Sequence, residues 1–501
     1  MVALTSAVRF HARQTPQREA VVCGGERVTY GALWERAALL AGMLAARGIA
    51  KGDIVAVLMK NSAAFIEIAL AASHAGVVLL PVNFRLAAEE VEYILGHAGA
   101  KLLFVDEELV PSAGSYEPRV VVDARAQADS RLLARGAAPL ERGPALAAGD
   151  LFRLMYTSGT TDRPKGVIHT YDNYYWKCLD HIAALQLGAR ERLLVVGPLY
   201  HVGAFDLPGL AVLIAGGTLC VLRDFDPEAA LDAIARELLT GGWMAPVMLN
   251  RLLGHPGRER FDLSSFRWLI GGGERTPESR IREFSGLFRQ GRYIDAYGLT
   301  ESCSGDTLME AGMEIAKIGS VGRAVPHVEI EIRDDAGNAL PAGTSGEICL
   351  RGPKITPGYW RDPAKTAASF FGEWFRTGDV GVLDADGFLT LTDRKKDMII
   401  SGSENIASSE VERVVYGLPQ VSEAAVIGLP DAQWGERVVA VVVVKQGGSL
   451  TEDELTRHCR AHLAGFKVPK QLIVREALPR NPSGKVLKRK LRDELAHSDG
   501  A

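Results

Sequence analysis

Several things are scarce or missing in this chain, and each absence narrows the reading. No run approaches the ~18 apolar residues of a membrane-spanning helix. The opening stretch, M-V-A-L-T-S-A-V-R-F-H-A-R-Q, has no apolar core long enough for a secretion signal. Cysteine is sparse: Cys23, Cys178, Cys220, Cys303, Cys349 and Cys459 lie far apart, with no C-x-x-C pair and no Cys/His cluster. A disulfide framework and a zinc site are therefore not expected, and a reducing compartment fits. Basic residues are not in excess. A net charge of −4 and a pI near 6.3 argue against a nucleic-acid binder, whose domain is usually basic. No internal repeat and no low-complexity tail interrupts the 501 residues. What is left is a soluble, cytoplasmic globular chain, with room for roughly two to four domains.

Hydrophobic patterning then gives the organisation. Residues 30–47, 62–75 and 87–95 carry helical spacing, and 54–59, 77–80 and 102–105 are short apolar strands. Strands that alternate with helices imply a mostly parallel, doubly wound sheet. Residues 106–149 are Ala-rich and weakly patterned, and read as a variable connection. The alternation resumes with strands at 193–196, 218–222 and 268–270 and a helix at 227–239, N-capped by Asp226. From 318 to 393 the texture changes to short alternating strands broken by Gly, Pro and Asp, which predicts a small β-barrel or sandwich segment. The charged stretch Asp393-Arg394-Lys395-Lys396-Asp397 marks a boundary. After it, helices at 409–416 and 452–463 and strands at 423–427, 438–445 and 472–474 make a unit of plausible domain size.

Residues 156–166, Y-T-S-G-T-T-D-R-P-K-G, gather four hydroxyls (Thr157, Ser158, Thr160, Thr161), Gly159, Gly166 and Lys165 between two apolar runs. Hydroxyl and backbone donors, close backbone approach at glycine and one ammonium together suit a polyphosphate. The ordinary P-loop reading fails, because Lys165 is followed by Gly166 and not by Ser or Thr. On composition alone a surface turn explains the stretch equally well. Tyr297-Gly298-Leu299-Thr300-Glu301 offers an aromatic ring, a hydroxyl and a carboxylate, or simply a capped helix start. Phe375-Arg376-Thr377-Gly378-Asp379 places one carboxylate after a glycine. Gly271-Gly272-Gly273-Glu274 follows a strand. Pro198-Leu199-Tyr200-His201 has a core histidine as its lesser reading, and Asp206 reads as a helix-start residue.

Taken together and in order, these stretches resemble the motifs of the adenylate-forming superfamily, which includes acyl-CoA synthetases, luciferases and peptide-synthetase adenylation domains. The likeness runs over nearly the whole chain. Residues 156–166 resemble its phosphate-binding signature, with Asp162 where a small residue is usual. The resemblance implies that Thr157, Ser158, Gly159, Thr160, Thr161 and Lys165 hold phosphates. It implies that Gly272, Gly273, Glu274, Tyr297 and Gly298 cradle adenine, Asp379 takes the ribose hydroxyls, and Arg394 contacts ribose or phosphate. Thr300 would serve the α-phosphate, Glu301 a magnesium ion, and His201 the acyl site. Lys396 would be the hinge of the small domain. Ser401 and Gly402, in S-G-S-E-N, would line the pantetheine tunnel. Lys485, in P-R-N-P-S-G-K, would bridge carboxylate and phosphate oxygens in the first half-reaction.

The implied fold class is α/β: a large N-terminal body of doubly wound sheets with a small β-barrel segment, and a small mobile α+β C-terminal domain. The boundaries are 1–395, with a β-rich subdomain at about 318–393, and 396–501. The implied activity is ATP-dependent carboxylate–CoA ligation with ATP, Mg²⁺ and CoA, on an aromatic, alicyclic or medium-chain fatty acid. Trp243, Met244, Phe205, His201 and residues 271–273 would form an apolar pocket. The expected partners are small molecules, with a homodimer left open and neither nucleic acid nor integral membrane contact. The rival readings are a stand-alone acyl-AMP ligase loading a separate carrier, a luciferase-like oxygenase, and a nucleotide-binding homologue with impaired turnover, for which Asp162, Ser403 and Ser408 speak.

Overall fold

The computed structural model describes residues 3–123, 133–157, 164–273, 276–394, 397–401, 404–431, 433–480 and 485–496. At Ala204, Asp393, Arg394 and Asn405 it describes the backbone alone. Within these residues two large sheets share one layer of helices. The first sheet runs Arg119–Val122, Leu102–Asp106, Ile54–Leu58, Val78–Pro81, Leu151–Thr157, Lys165–Thr170 from edge to edge. All its neighbours are parallel except the last pair. The second has a parallel centre, Arg292–Tyr297, Trp268–Gly271, Gly241–Met244, Arg192–Val195, Thr218–Val221 and Glu19–Cys23. Antiparallel edge strands flank it. This is the doubly wound body that alternation predicts.

The helix Ala63–Ala75 shows why the two sheets stay together. Every one of its residues is buried, so it has no solvent face. Ser62 caps its start by accepting from the Phe65 N–H at 3.2 Å. Gly76 ends it at φ 69°, where a side chain would be strained. Phe65, Ile66 and Leu70 join Val55 and Val57 of the first sheet and Val21, Leu193 and Leu219 of the second in one core. Each such side chain contributes about 1.5–3 kcal/mol on burial. Asn61 stitches the sheets' ends: its amide donates to the Gly197 and Leu222 carbonyls and accepts from the Leu199 N–H at 2.8 Å. The segment leading to His201 is fixed by that side chain.

The β-rich stretch is a curled antiparallel half-barrel of Glu329–Arg333, Gly346–Arg351, Trp374–Leu383, Phe370–Phe371 and Leu389–Arg394. Arg323–Ala324, inside the expected subdomain, instead pairs at the edge of the second large sheet. The remaining residues form a smaller α+β unit. Val421–Asp431 and Gly435–Val444 are its long central pair, and Gln471–Val474 runs parallel beside it. Helices Ser408–Val415 and Glu452–His462 cover one face and Lys488–Ala496 the other, each with its own apolar cluster. Among the described residues no helix is long and apolar enough to cross a membrane.

Candidate active site

The two ends of the hydroxyl-rich stretch belong to the paired antiparallel strands Leu151–Thr157 and Lys165–Thr170. Thr157 lies opposite Lys165, and Tyr156 opposite Gly166. Ser158, Gly159, Thr160 and Thr161 fall outside the described residues, as do Glu274, Lys396 and Gly402. A Cβ at Gly166 would meet the Tyr156 ring at 3.1 Å and Trp360 Cβ at 3.2 Å, so this position has little room for a side chain. The Tyr156 hydroxyl meets His97 Nδ1 at 2.6 Å, and this bond braces the strand that feeds the hairpin. Lys165 is pulled below the usual lysine range by burial and then by Lys365, and Asp362 and Glu301 offset this. The hairpin lysine and the Glu301 carboxylate thus share one electrostatic neighbourhood.

Thr300–Ser302 form a 3₁₀ turn rather than the start of an α-helix. The turn is held from behind. His169 Nε2 lies 2.7 Å from the Thr300 carbonyl, and the Thr356 N–H donates to the Glu301 carbonyl at 2.7 Å. The Tyr359 hydroxyl donates to Glu301 Oε1 at 2.9 Å. His169 is fully buried, and burial with Arg153 alongside pushes it down to about 3, so the ring is neutral. Its Nδ1 faces Arg153 Nη2 at 3.2 Å and accepts, which makes Nε2 the N–H that donates to Thr300.

Arg153 in turn pairs with Asp206, Nη1 to Oδ1 at 3.1 Å and Nη2 to Oδ2 at 2.5 Å, both side chains essentially unexposed. Asp206 is therefore not the helix-start residue that its sequence suggests. It lies inside the π-helical turn Val202–Leu210, as the counter-ion of a buried arginine. Before that turn, His201 Nδ1 accepts from the Gly203 N–H at 3.1 Å. Burial pushes His201 down to about 4, so it too is neutral. A Cβ at Gly203 would stand 2.5 Å from the Trp243 ring, so Trp243 packs flat on bare backbone. Met244 faces the other way: it belongs to the apolar cluster with Leu249, Phe266 and Tyr293, on the far side of the sheet from Trp243. Strand alternation separates the two, and the expected pocket wall loses Met244.

Gly273 is held at φ 94° with no atom within 4 Å of a built Cβ, so open space lies above it. Gly272 faces inward, its Cβ direction ending 3.2 Å from the Ala296 carbonyl. A Cβ at Gly298 would stand 2.3 Å from the Gly305 nitrogen, so this turn tolerates only glycine. The Tyr297 hydroxyl donates to Asp379 Oδ2 at 2.8 Å, and burial followed by the Asp379 charge raises the phenol well above its ordinary range. Asp379 and Arg394 are opposite each other in their strand pair.

Of these groups Gly273, Tyr297, Gly298 and Asp379 open onto a cavity of about 690 Å³ between the large body and the small unit, whereas Lys165, Thr300, Glu301 and His201 are not among its walls. Gly273, Tyr297, Gly298, Leu299 and Asp379 line it from one side, and Lys485, Glu412 and His462 from the other. Lys485, which the sequence places far downstream, thus reaches the same cleft as Tyr297 and Asp379. Ser401 is not among its walls and sits in the small unit's sheet opposite Gly435. Sequence reasoning missed Tyr359, His169, Arg153 and the true place of Asp206. Only the position of Arg153 and His169 in the two hairpin strands hints at any of them.

Two family models match the chain: AMP-binding enzyme over residues 8–360, and AMP-binding enzyme C-terminal domain over residues 410–485. The chain belongs to the AMP-binding enzyme family. Among curated relatives, a feruloyl-CoA synthase of Amycolatopsis is 38% identical over 96% of both chains. A long-chain-fatty-acid–CoA ligase of Mycobacterium tuberculosis is 37% identical over 94% of this chain and 93% of its own. Among solved structures, ATP-bound MatB of Rhodopseudomonas palustris superposes with a TM-score of 0.90 at 31% identity, covering 99% of each chain. The chain is accordingly an ATP-dependent, adenylate-forming ligase of the acyl-CoA synthetase family, an AMP-forming acid–thiol ligase that acts on a carboxylate.

Proposed function

We propose that this ligase activates a hydrophobic carboxylic acid (aromatic, alicyclic or medium-chain fatty) as its adenylate and passes the acyl group to coenzyme A. The observation that carries the reading is the meeting of Lys485 with Tyr297 and Asp379 around one cavity. In the first step a carboxylate oxygen attacks the α-phosphorus of ATP, the Pα–O bond to the β-phosphate breaks, and pyrophosphate leaves. Thr157, Ser158, Gly159, Thr160, Thr161 and Lys165 hold the leaving phosphates. Thr300 and Lys485 stabilise the charge that builds on the reacting oxygens. Gly272, Gly273, Glu274, Tyr297 and Gly298 seat adenine, and Asp379 with Arg394 holds the ribose. In the second step the CoA thiolate attacks the acyl carbon, the acyl–phosphate C–O bond breaks, and AMP leaves.

Magnesium that arrives with ATP would be held by Glu301 and supply charge neutralisation. The donor set fits: one carboxylate beside phosphate oxygens is the ordinary magnesium arrangement, and the described residues offer no cluster of three ligating side chains. The two steps need different walls. We assign the body to residues 1–395 and a mobile cap to 396–501, pivoting at Lys396. Lys485 serves adenylation, and Ser401 with Gly402 serves the thiol step. The neutral, buried His201 and the Trp243 ring suit an apolar acyl group, and this supports the substrate class. The test is a panel of carboxylates scored by AMP release with and without CoA. AMP release that depends on a carrier protein and ignores CoA would favour a carrier-loading ligase instead.

A further inference from the structure

The strand Lys165–Thr170 is the edge of the first sheet, and a second segment runs along its outer side. The Trp360 N–H donates to the Gly166 carbonyl at 2.7 Å, and the Ile168 N–H donates to the Gly358 carbonyl at 3.1 Å. Val167 lies opposite Tyr359 in an antiparallel bridge, and Lys165, two residues away, shares the face of Val167. After Trp360 the chain turns back on itself. The Asp362 N–H donates to the Tyr359 carbonyl at 3.3 Å, and the Tyr359 N–H donates to Thr366 Oγ1 at 2.9 Å. A Cβ at Gly358 would stand 2.4 Å from Thr366 Cγ2, so the turn closes on bare backbone. The short helix Pro363–Ala368 is thereby seated beside the strand edge, and its Lys365 side chain comes to stand next to that of Lys165.

Two ammoniums side by side repel each other unless an anion lies between them. Both residues are half-buried, so solvent and solutes reach them. Two carboxylates are near, and each is committed elsewhere. Asp362 Oδ1 accepts from the Lys365 N–H at 2.9 Å, as the cap of the short helix. Glu301 Oε1 accepts from the Tyr359 hydroxyl at 2.9 Å. Their charges offset the depression of Lys165 without cancelling it. Among the described residues neither lysine ammonium forms an ion pair or donates to a protein oxygen. Each ammonium brings three donors on a flexible stem, which suits a multiply charged oxyanion better than a fixed partner.

We propose that Lys365 is a second phosphate-binding residue, which with Lys165 clamps the pyrophosphate end of ATP and holds the pyrophosphate that leaves. This rests on the ligase reading above and adds to it a cation supplied from outside the strand pair. As the Pα–O bond to the β-phosphate breaks, its electron pair stays on the departing oxygen. The two ammoniums neutralise that charge through charge-assisted hydrogen bonds, and no proton need be transferred. The same anion relieves the repulsion between the two lysines.

The test measures binding of inorganic pyrophosphate, ATP and AMP by titration calorimetry to the parent, Lys365→Met and Lys365→Arg. Pyrophosphate and ATP should each bind about tenfold or more weakly to Lys365→Met, the order of one lost hydrogen bond between charged groups. AMP carries neither a β- nor a γ-phosphate and should bind to Lys365→Met as it does to the parent. A merely structural role for Lys365 would not produce that contrast. Lys365→Arg keeps the cation and should retain most of the pyrophosphate affinity. Added salt should weaken pyrophosphate binding less steeply in Lys365→Met than in the parent. Should Lys365→Met fail to fold, Lys365→Gln gives the same three-ligand comparison. Unchanged pyrophosphate binding in Lys365→Met, or an equal loss for AMP and pyrophosphate, would overturn the proposal. The ligase reading fails separately, if no carboxylate supports ATP–pyrophosphate exchange in the parent. A selective loss of pyrophosphate binding in Lys365→Met would then still establish the two-lysine anion site.

Discussion

The Tyr297 hydroxyl and the Asp379 carboxylate are 2.8 Å apart, although 82 residues and two different sheets separate them. The bond fixes one carboxylate oxygen at the edge of the cleft and ties the strand Arg292–Tyr297 to the half-barrel. Tyr297→Phe removes the donor while keeping the ring. Loss of one hydrogen bond to a charged group should weaken ATP binding by ~1.5–3 kcal/mol, a rise in KM for ATP of roughly ten- to a hundredfold. Asp379→Asn should cost at least as much. Steady-state kinetics at saturating acid and CoA measure both, and an unchanged KM in both variants would remove Asp379 from the nucleotide site.

Lys485 lines the cleft from the small unit, which predicts a division of labour. Lys485→Ala should lower ATP–pyrophosphate exchange by about 10²-fold or more, as when a charge-stabilising donor is removed. Thioester formation from a supplied acyl-adenylate should fall less than threefold. Equal loss in both half-reactions would show that Lys485 supports the fold or CoA binding rather than adenylation.

Much of the fold is legible in the residue pattern, and what is not has a common cause. Ile54–Leu58 and Ala63–Ala75 were legible because their burial is apolar and their caps, Ser62 and Gly76, are ordinary. The helix Tyr171–Leu185 escaped because its buried side presents Tyr174, Lys177 and His181, which leave no hydrophobic stripe for periodicity to find. Asp206 escaped for the same reason: its partner, Arg153, is 53 residues upstream, and pairing at that range leaves no local signature. Met244 and Trp243, adjacent in sequence, fall on opposite faces of a strand, so a pocket wall read as a contiguous stretch overcounts. The apolar skeleton lies in the residue pattern, whereas the polar interior that shapes the site depends on tertiary pairing.

Acid should destabilise the protein through two histidines. Folding depresses His169 to about 3 and His201 to about 4, both from 6.5, chiefly by burial. Above pH 6.5 neither group binds a proton in either state, so neither contributes a slope. As pH falls from 6.5 toward 4 the unfolded chain takes up protons that the folded one refuses, and stability drops by up to ~1.4 kcal/mol per pH unit for each histidine. Denaturant midpoints measured from pH 7.5 to 4.5 should therefore fall steeply. His169→Gln keeps a donor for the Thr300 carbonyl but cannot titrate, so it should flatten part of that slope. An equally steep profile in the variant would show that other groups carry it.

Arg153 and Asp206 offer the sharpest test of the buried network. Removing one partner leaves an uncompensated charge, so Arg153→Met and Asp206→Leu should each cost about 3–5 kcal/mol. The double variant removes both charges at once and should recover most of that loss, because a buried pair is often no more stable than apolar side chains of similar volume. Activity should not recover in step. With Arg153 gone, His169 Nδ1 loses its donor partner and with it the constraint that directs Nε2–H to the Thr300 carbonyl. The double variant should then be close to native in melting temperature yet reduced about tenfold or more in kcat, with KM for CoA little changed. Coincident recovery of stability and kcat would show that the network is structural and that Thr300 is oriented by its own turn.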